Sequence, residues 1–215
     1  MRGDSNRMDV TLQIVTPHWE RVYELRSWME GLDKAFVRVL SPPKAQGQGY
    51  LKLSHRFWEY LPGAERTVLI PPSLMLENFM GSDFSNDDFV KMSHLAEDYF
   101  HEFIAEETVE GEPAYLLELH PKPEAAVVYG LLRLWLRRRD AAFLQIEFYN
   151  ERMERIRTLR YLDFHRFNDR EYPTVWRMVN HLEPGRSTTV TVREAQFNLS
   201  VDPDVFTQRN LENSS

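Results

Sequence analysis

At 215 residues the chain is long enough to bury a substantial core within a single all-β or α+β domain. Its formal net charge of −7 argues against a nucleic-acid-binding face, which needs a basic surface. The absence of cysteine removes disulfides, thiolate metal sites and cysteine nucleophiles from consideration.

Alternation dominates the first half. Met8, Val10, Leu12 and Ile14 fall on one face of a strand, with Asp9, Thr11 and Gln13 on the other, until Thr16-Pro17-His18 breaks the run. Further strands are predicted over 21–30, 34–40, 49–54, 56–61 and 65–70. They are separated by the turns Gly31-Leu32-Asp33, Ser41-Pro42-Pro43 and Pro62-Gly63. Short spacers of this kind imply an antiparallel meander, because parallel pairing needs long crossovers.

After Pro71-Pro72 the run Ser73-Leu74-Met75-Leu76-Glu77-Asn78-Phe79-Met80 stops alternating and is predicted to take up to two helical turns. Gly81 then permits a turn, and Ser85 followed three residues later by Asp88 predicts a capped helix over 87–92. Asp83, Ser85 and Asp87 also alternate like the first ligands of a calcium loop. The sixth position, however, is Asp88 instead of glycine, and the twelfth is His94 instead of glutamate, so no metal site is read.

Strands resume over 94–105, 114–120, 129–137, 141–149, 153–164, 174–181 and 187–199, and Pro203 opens a last helical turn. The 153–164 segment is ambiguous, since Met153, Ile156, Leu159 and Leu162 recur every three residues. It is read as a strand after the hairpin-like turn at Tyr149-Asn150-Glu151-Arg152. No internal repeat or linker divides the chain, so a single domain over 1–215 is expected. A Gly-Asp-Ser turn is the preferred reading of Arg2-Gly3-Asp4-Ser5.

The chemistry-bearing signals are mostly negative. No apolar stretch approaches the ~18–20 residues needed to span a bilayer, so the chain is not read as membrane-spanning. The seven histidines show no metal spacing, and His94 and His101 are expected on opposite faces of one strand. There is no Gly-x-Ser-x-Gly elbow and no phosphate-binding glycine loop. No catalytic residue, metal or cofactor is therefore assigned. The basic run Arg133–Asp140 reads as a solvated strand end and turn, with anionic headgroups or an acidic partner as the functional alternative.

Aromatic and methionine content is the positive signal. Trp28, Phe36, Trp58, Tyr60, Trp135, Phe148 and Trp176 fall on predicted strands, and Leu74, Met75, Phe79 and Met80 on the segment between the two meanders. Residues alone leave open an ordinary closed core or a cavity, since large apolar side chains are usually just buried. A sheet of about a dozen strands must curl, and it then encloses a space or needs a filler. Trp58 and Tyr60, two apart on one strand, share a face.

Gly81-Ser82-Asp83-Phe84-Ser85-Asn86-Asp87-Asp88 resembles the signature of the LolA-like outer-membrane lipoprotein-sorting protein family. Trp58-Glu59-Tyr60-Leu61-Pro62, Arg66, Ile70-Pro71-Pro72 and Asp98-Tyr99 agree with it, and the similarity runs from about Arg2 to Leu211. The resemblance implies an incomplete antiparallel β-barrel whose short helices plug an apolar cavity. It implies a periplasmic carrier of lipid or lipoprotein acyl chains, serving an inner-membrane transporter or an outer-membrane acceptor, with the eleven aromatic, leucine and methionine residues above as ligand-binding candidates. It also implies a signal peptide and a first helix ahead of Met1. Two other readings are kept: a non-carrier interaction module of an envelope transport complex, and a hydrolase pairing Asp83 or Asp87 with a histidine.

Overall fold

The computed structural model describes residues 3–92, 94–125, 127–168 and 170–213. Its strands are β1 (Ser5–Val15), β2 (Glu20–Glu30), β3 (Lys34–Ser41), β4 (Gly49–Leu53), β5 (Arg56–Leu61), β6 (Arg66–Leu69), β7 (Tyr99–Val109), β8 (Glu112–Pro121), β9 (Leu131–Arg137), β10 (Phe143–Tyr149), β11 (Arg155–Phe167), β12 (Arg170–Asn180) and β13 (Ser187–Phe197). They form one antiparallel sheet in the order β6-β5-β4-β3-β2-β1-β13-β12-β11-β10-β9-β8-β7. The sheet curves without closing into a barrel, as the alternation and short spacers led one to expect.

Two meanders meet at the β1–β13 pair, where Leu12 lies opposite Val190 on one side and Tyr23 on the other. The sheet's edges are β6 and β7, consecutive in sequence, so the chain from Ile70 to Asp98 has to cross from one edge to the other. It crosses on the concave side. There Met8, Leu12 and Ile14, at most 3% exposed, form the floor of the main core with Leu25, Val37, Tyr50, Phe57, Phe79 and Val90.

Several elements depart from the sequence reading. The segment over 73–80 forms two separate 3-10 turns, Pro72–Leu74 and Phe79–Gly81, with Met80 in the left-handed region at φ 54°. Two backbone features explain this: Asn78 pairs with Ser85 as an isolated bridge, and the Phe79 amide donates to the Phe84 carbonyl. Gly81, at φ 74°, makes the tight reversal between them. The capped helix is present as α1 (Asn86–Lys91). Ser85 Oγ accepts from the Asp88 amide at 3.1 Å, and Asp88 Oδ2 accepts from the Ser85 amide at 2.8 Å.

The strand expected from 94 begins only at Tyr99, since Leu95–Asp98 is the helical turn α2, its Glu97 and Asp98 amides donating to the His94 carbonyl. His94 and His101 therefore do not share a strand. The ambiguous 153–164 segment is a strand, starting at Arg155, with Met153 in the preceding turn at φ 59°. Strand β12 starts four residues ahead of its expected position because Pro173 does not stop it. The Thr174 hydroxyl donates to the Asp163 carbonyl at 2.7 Å across the β11–β12 pair.

After the expected 3-10 turn Pro203–Phe206 comes a helix, α3 (Gln208–Glu212), capped by Thr207 Oγ1 accepting from the Asn210 amide at 3.1 Å. Buried Arg38 donates to the carbonyls of Leu211, Asn210 and Gly47 at 2.6–2.9 Å and so ties this tail to the back of the sheet. A Cβ on Gly49 would come within 2.9 Å of both Arg38 Nη1 and Leu211 Cδ1, so a larger residue there would have to displace one of these side-chain ends. Gly3 adopts φ 68°, in keeping with a turn at Gly3-Asp4-Ser5, while Arg2 lies outside the described residues.

Candidate functional site

A cavity of about 450 Å³ lies between the concave face and the crossing segment. Alternation along the strands builds its wall. Met8, Val10 and Leu12 come from β1, Leu25, Ser27 and Met29 from β2, Ala35 and Val37 from β3, and Val190 from β13. The far side adds Trp176 and Tyr172 from β12, Leu159 and Tyr161 from β11, and Phe143 from β10. The crossing segment supplies the lid with Phe79, Phe84, Asp88, Phe89 and Met92, in which Phe79 and Phe89 stack at 5.2 Å.

This lid is pinned by two buried charge networks. Asp83, 2% exposed, accepts from Arg186 Nε at 2.8 Å, Thr188 Oγ1 at 2.7 Å and Asn180 Nδ2 at 3.1 Å, while Arg186 Nη2 also donates to the Gly81 carbonyl at 3.0 Å. Asp88, 3% exposed, accepts from the Tyr129 hydroxyl at 2.5 Å and from Arg157 Nη1 at 3.0 Å. Arg157 further donates to the Asp83 carbonyl and to the Tyr129 hydroxyl. Burial, reinforced by Asp88, pushes the Tyr129 phenol well above its ordinary range, so it stays a donor. Burial by itself lowers the Arg157 pKa, but Asp88, Tyr129 and Asp83 outweigh it and hold the guanidinium charged. At the lid's far end, buried Lys52 donates to the carbonyls of Val90 at 2.6 Å and Leu32 at 2.7 Å.

The eleven residues singled out from sequence do not converge. Phe79 and Trp176 stand in the cavity wall, and Trp28 borders it, although its ring packs edge-on to Phe36 at 5.7 Å. Phe36 alternates with the wall residues Ala35 and Val37, and therefore faces the other way. It packs with Trp58 and Tyr60 beneath Val201, Phe206 and Leu211 of the tail. Trp135 likewise lies on the back, with Ala114, Leu116 and Leu144, its indole donating to Glu107 at 2.8 Å. Phe148 is buried on the concave side next to Tyr129. Met75 and Met80 are half-buried against the main core, and Leu74 is 44% exposed, so the first turn of the crossing segment is not the filler.

The sequence reading missed the aliphatic wall and both arginine networks. The alternation of β1 already placed Met8, Val10 and Leu12 on one face and was the available signal for the wall. No local pattern connects Asp88 to Arg157 or Asp83 to Arg186, which lie 69 and 103 residues apart. Asp88 is the carboxylate in the cavity wall, and no histidine lines it among the described residues. No helix of the described residues is long and apolar enough to cross a membrane.

A family model with the description "uncharacterized protein" matches residues 31–213. No curated protein sequence matches the chain. Among solved structures, a domain described as an outer membrane lipoprotein-sorting protein from Vibrio parahaemolyticus is 19% identical, covers 97% of this chain and 92% of its own, and superposes with a TM-score of 0.86. A DUF1329 family protein from Desulfovibrio piger gives 20% identity over the same shares and a TM-score of 0.91. A LolA superfamily protein from Nitrosomonas europaea is 21% identical over 98% of this chain and 93% of its own, at a TM-score of 0.81. Identities this low speak for a shared fold, and the family model spans most of the chain. The chain belongs to the family of that model, and it shares its fold with the outer membrane lipoprotein-sorting domain and the LolA superfamily protein.

Proposed function

We propose that this protein is a periplasmic carrier that holds a lipid, or the acyl chains of a lipoprotein, in the cavity under the lid and passes it to a membrane transporter or an outer-membrane acceptor. The observation that carries this reading is the apolar cavity of about 450 Å³, which falls within the range of small-molecule sites. Its wall supplies aliphatic, aromatic and methionine surface, which suits a hydrocarbon chain better than a polar metabolite. Support for a sorting role comes from the sequence resemblance to the LolA-like family and from the printed description of the Vibrio parahaemolyticus domain.

The mechanism is one of competition. Burial of an acyl chain gains ~0.8 kcal/mol per methylene. A carrier has to release its cargo, so it must be able to offset part of that gain. Phe79, Phe84, Phe89 and Met92 of the lid border the space the cargo takes, and their closing in on the emptied cavity stabilises the empty state. The arginine networks fix the lid's position, so that it returns to one arrangement.

The test is native mass spectrometry of the protein purified from a membrane-containing host, followed by lipid extraction and displacement of a fluorescent fatty acid. Co-purified lipid, and displacement weakened by Leu25→Glu in the wall, are the results expected. An empty protein that binds no acyl ligand would leave the interaction-module reading as the better account.

A further inference from the structure

The cavity is not chemically uniform. Its β1–β3 side is aliphatic apart from Ser27 and Trp28, whereas its β11–β12 side carries two phenols, Tyr161 and Tyr172, in an aromatic corner. Two other polar groups of the wall, Asp88 and the Trp176 indole, are already committed. Asp88 accepts from Tyr129, Arg157 and the Ser85 amide, and the Trp176 indole donates to the Pro173 carbonyl at 3.0 Å.

Tyr161 differs from these. It is 9% exposed, and its ring is fixed by edge contacts with Phe143 at 6.0 Å and Trp176 at 6.1 Å, both of them wall residues. Its hydroxyl has no hydrogen-bond partner among the described residues. The residue itself lines the cavity. Burial and the neighbouring Tyr172 push the phenol above its ordinary range, which keeps the proton on oxygen and the group a donor. A buried donor without a partner is costly, and a ligand that supplies an acceptor there recovers the loss.

We infer that Tyr161 is a ligand-orienting subsite: the cavity takes an amphiphile that carries a hydrogen-bond acceptor of the carbonyl type, an ester or amide, which receives the Tyr161 hydroxyl while the hydrocarbon lies along Met8, Val10, Leu12 and Leu25. This rests on the carrier reading and narrows its ligand from any apolar chain to an acyl chain with its carbonyl. The carbonyl end is held against β11 and β12, and the chain end points to the aliphatic side. Orientation and discrimination then come from one hydrogen bond, because a plain hydrocarbon leaves the phenol unsatisfied.

The test uses the full chain and two displacing ligands built on the same sixteen-carbon chain, methyl palmitate and hexadecane, against a fluorescent acyl probe, with wild type and Tyr161→Phe compared. The variant keeps the ring contacts, and its melting curve checks that it is folded. Loss of one neutral hydrogen bond is expected to weaken methyl palmitate about three- to tenfold and leave hexadecane unchanged. In the infrared, the ester carbonyl stretch of bound methyl palmitate should shift down in wild type and return in Tyr161→Phe. Equal affinity for the two ligands in wild type, or an equal change for both in the variant, overturns the subsite but leaves the carrier reading standing. Failure of wild type to bind either ligand overturns both.

Discussion

Arg157 offers the sharpest test of how the lid is held. Replacement by methionine keeps an unbranched stem and removes the guanidinium, which donates to Asp88 Oδ2, the Asp83 carbonyl and the Tyr129 hydroxyl. The Asp88 side chain is 1% exposed and that of Arg157 is 13% exposed, so water cannot readily replace the lost partner. Breaking one half of a buried pair costs about 3–5 kcal/mol, because the remaining charge is left uncompensated. Taking about 4 kcal/mol, and about 2–4 °C per kcal/mol for a domain of this size, the melting temperature should fall by roughly 8–16 °C. Removing the stranded charge as well, in Arg157→Met combined with Asp88→Asn, should recover part of the loss, and a double-mutant cycle from denaturant melts measures the coupling. A single-variant loss below about 1 kcal/mol would refute the reasoning, since that is the range of an exposed pair.

Other outcomes follow from the same structure. Ser85→Ala removes the capping acceptor of α1 and should cost about 0.5–2 kcal/mol in a denaturant melt. Trp58→Ala, on the back of the sheet, should cost about 3–5 kcal/mol yet leave acyl-probe affinity within twofold; a large affinity loss would contradict the placement of that side chain. His181, whose Nε2 lies 2.8 Å from Thr158 Oγ1, has its pKa lowered from 6.5, by burial first and then by Arg155. Its neutral form is favoured in the folded protein. The stability it contributes is therefore present above pH 6.5 and lost as pH falls through the lower folded-state value, and an NMR titration should place its midpoint below 6.5.

The fold was legible where local rules govern it. The strict alternation from Met8 to Ile14 and the turn residues between strands gave the antiparallel meander, and Ser85 with Asp88 gave the capped helix. Local rules erred where tertiary pairing decides. The 73–80 run lacks alternation and looks helical, but the Asn78–Ser85 bridge holds it as two 3-10 turns. The strand expected from 174 starts already at Arg170 and runs through Pro173.

The site was less legible than the fold. Large aromatics are buried wherever a sheet has a covered face, and this sheet is covered twice. The lid lies over the front, and the tail of Val201, Phe206 and Leu211 over part of the back, where it takes Phe36, Trp58 and Tyr60. Nothing in the strands announces that second cover, because the tail reaches them through long-range contacts such as the clasp of Arg38. The wall itself is made of ordinary aliphatic residues whose role is set by which strand faces which.

The central claim is that an acyl chain sits between the concave face and the lid, and photo-crosslinking tests it most directly. A fatty acid bearing a terminal diazirine, irradiated with the full chain and mapped by peptide mass spectrometry, should label wall residues such as Met8, Leu12, Leu25 and Phe79. Excess unlabelled fatty acid should suppress that labelling. Labelling confined to the back around Trp58 and Trp135, or the absence of saturable labelling, would contradict the account.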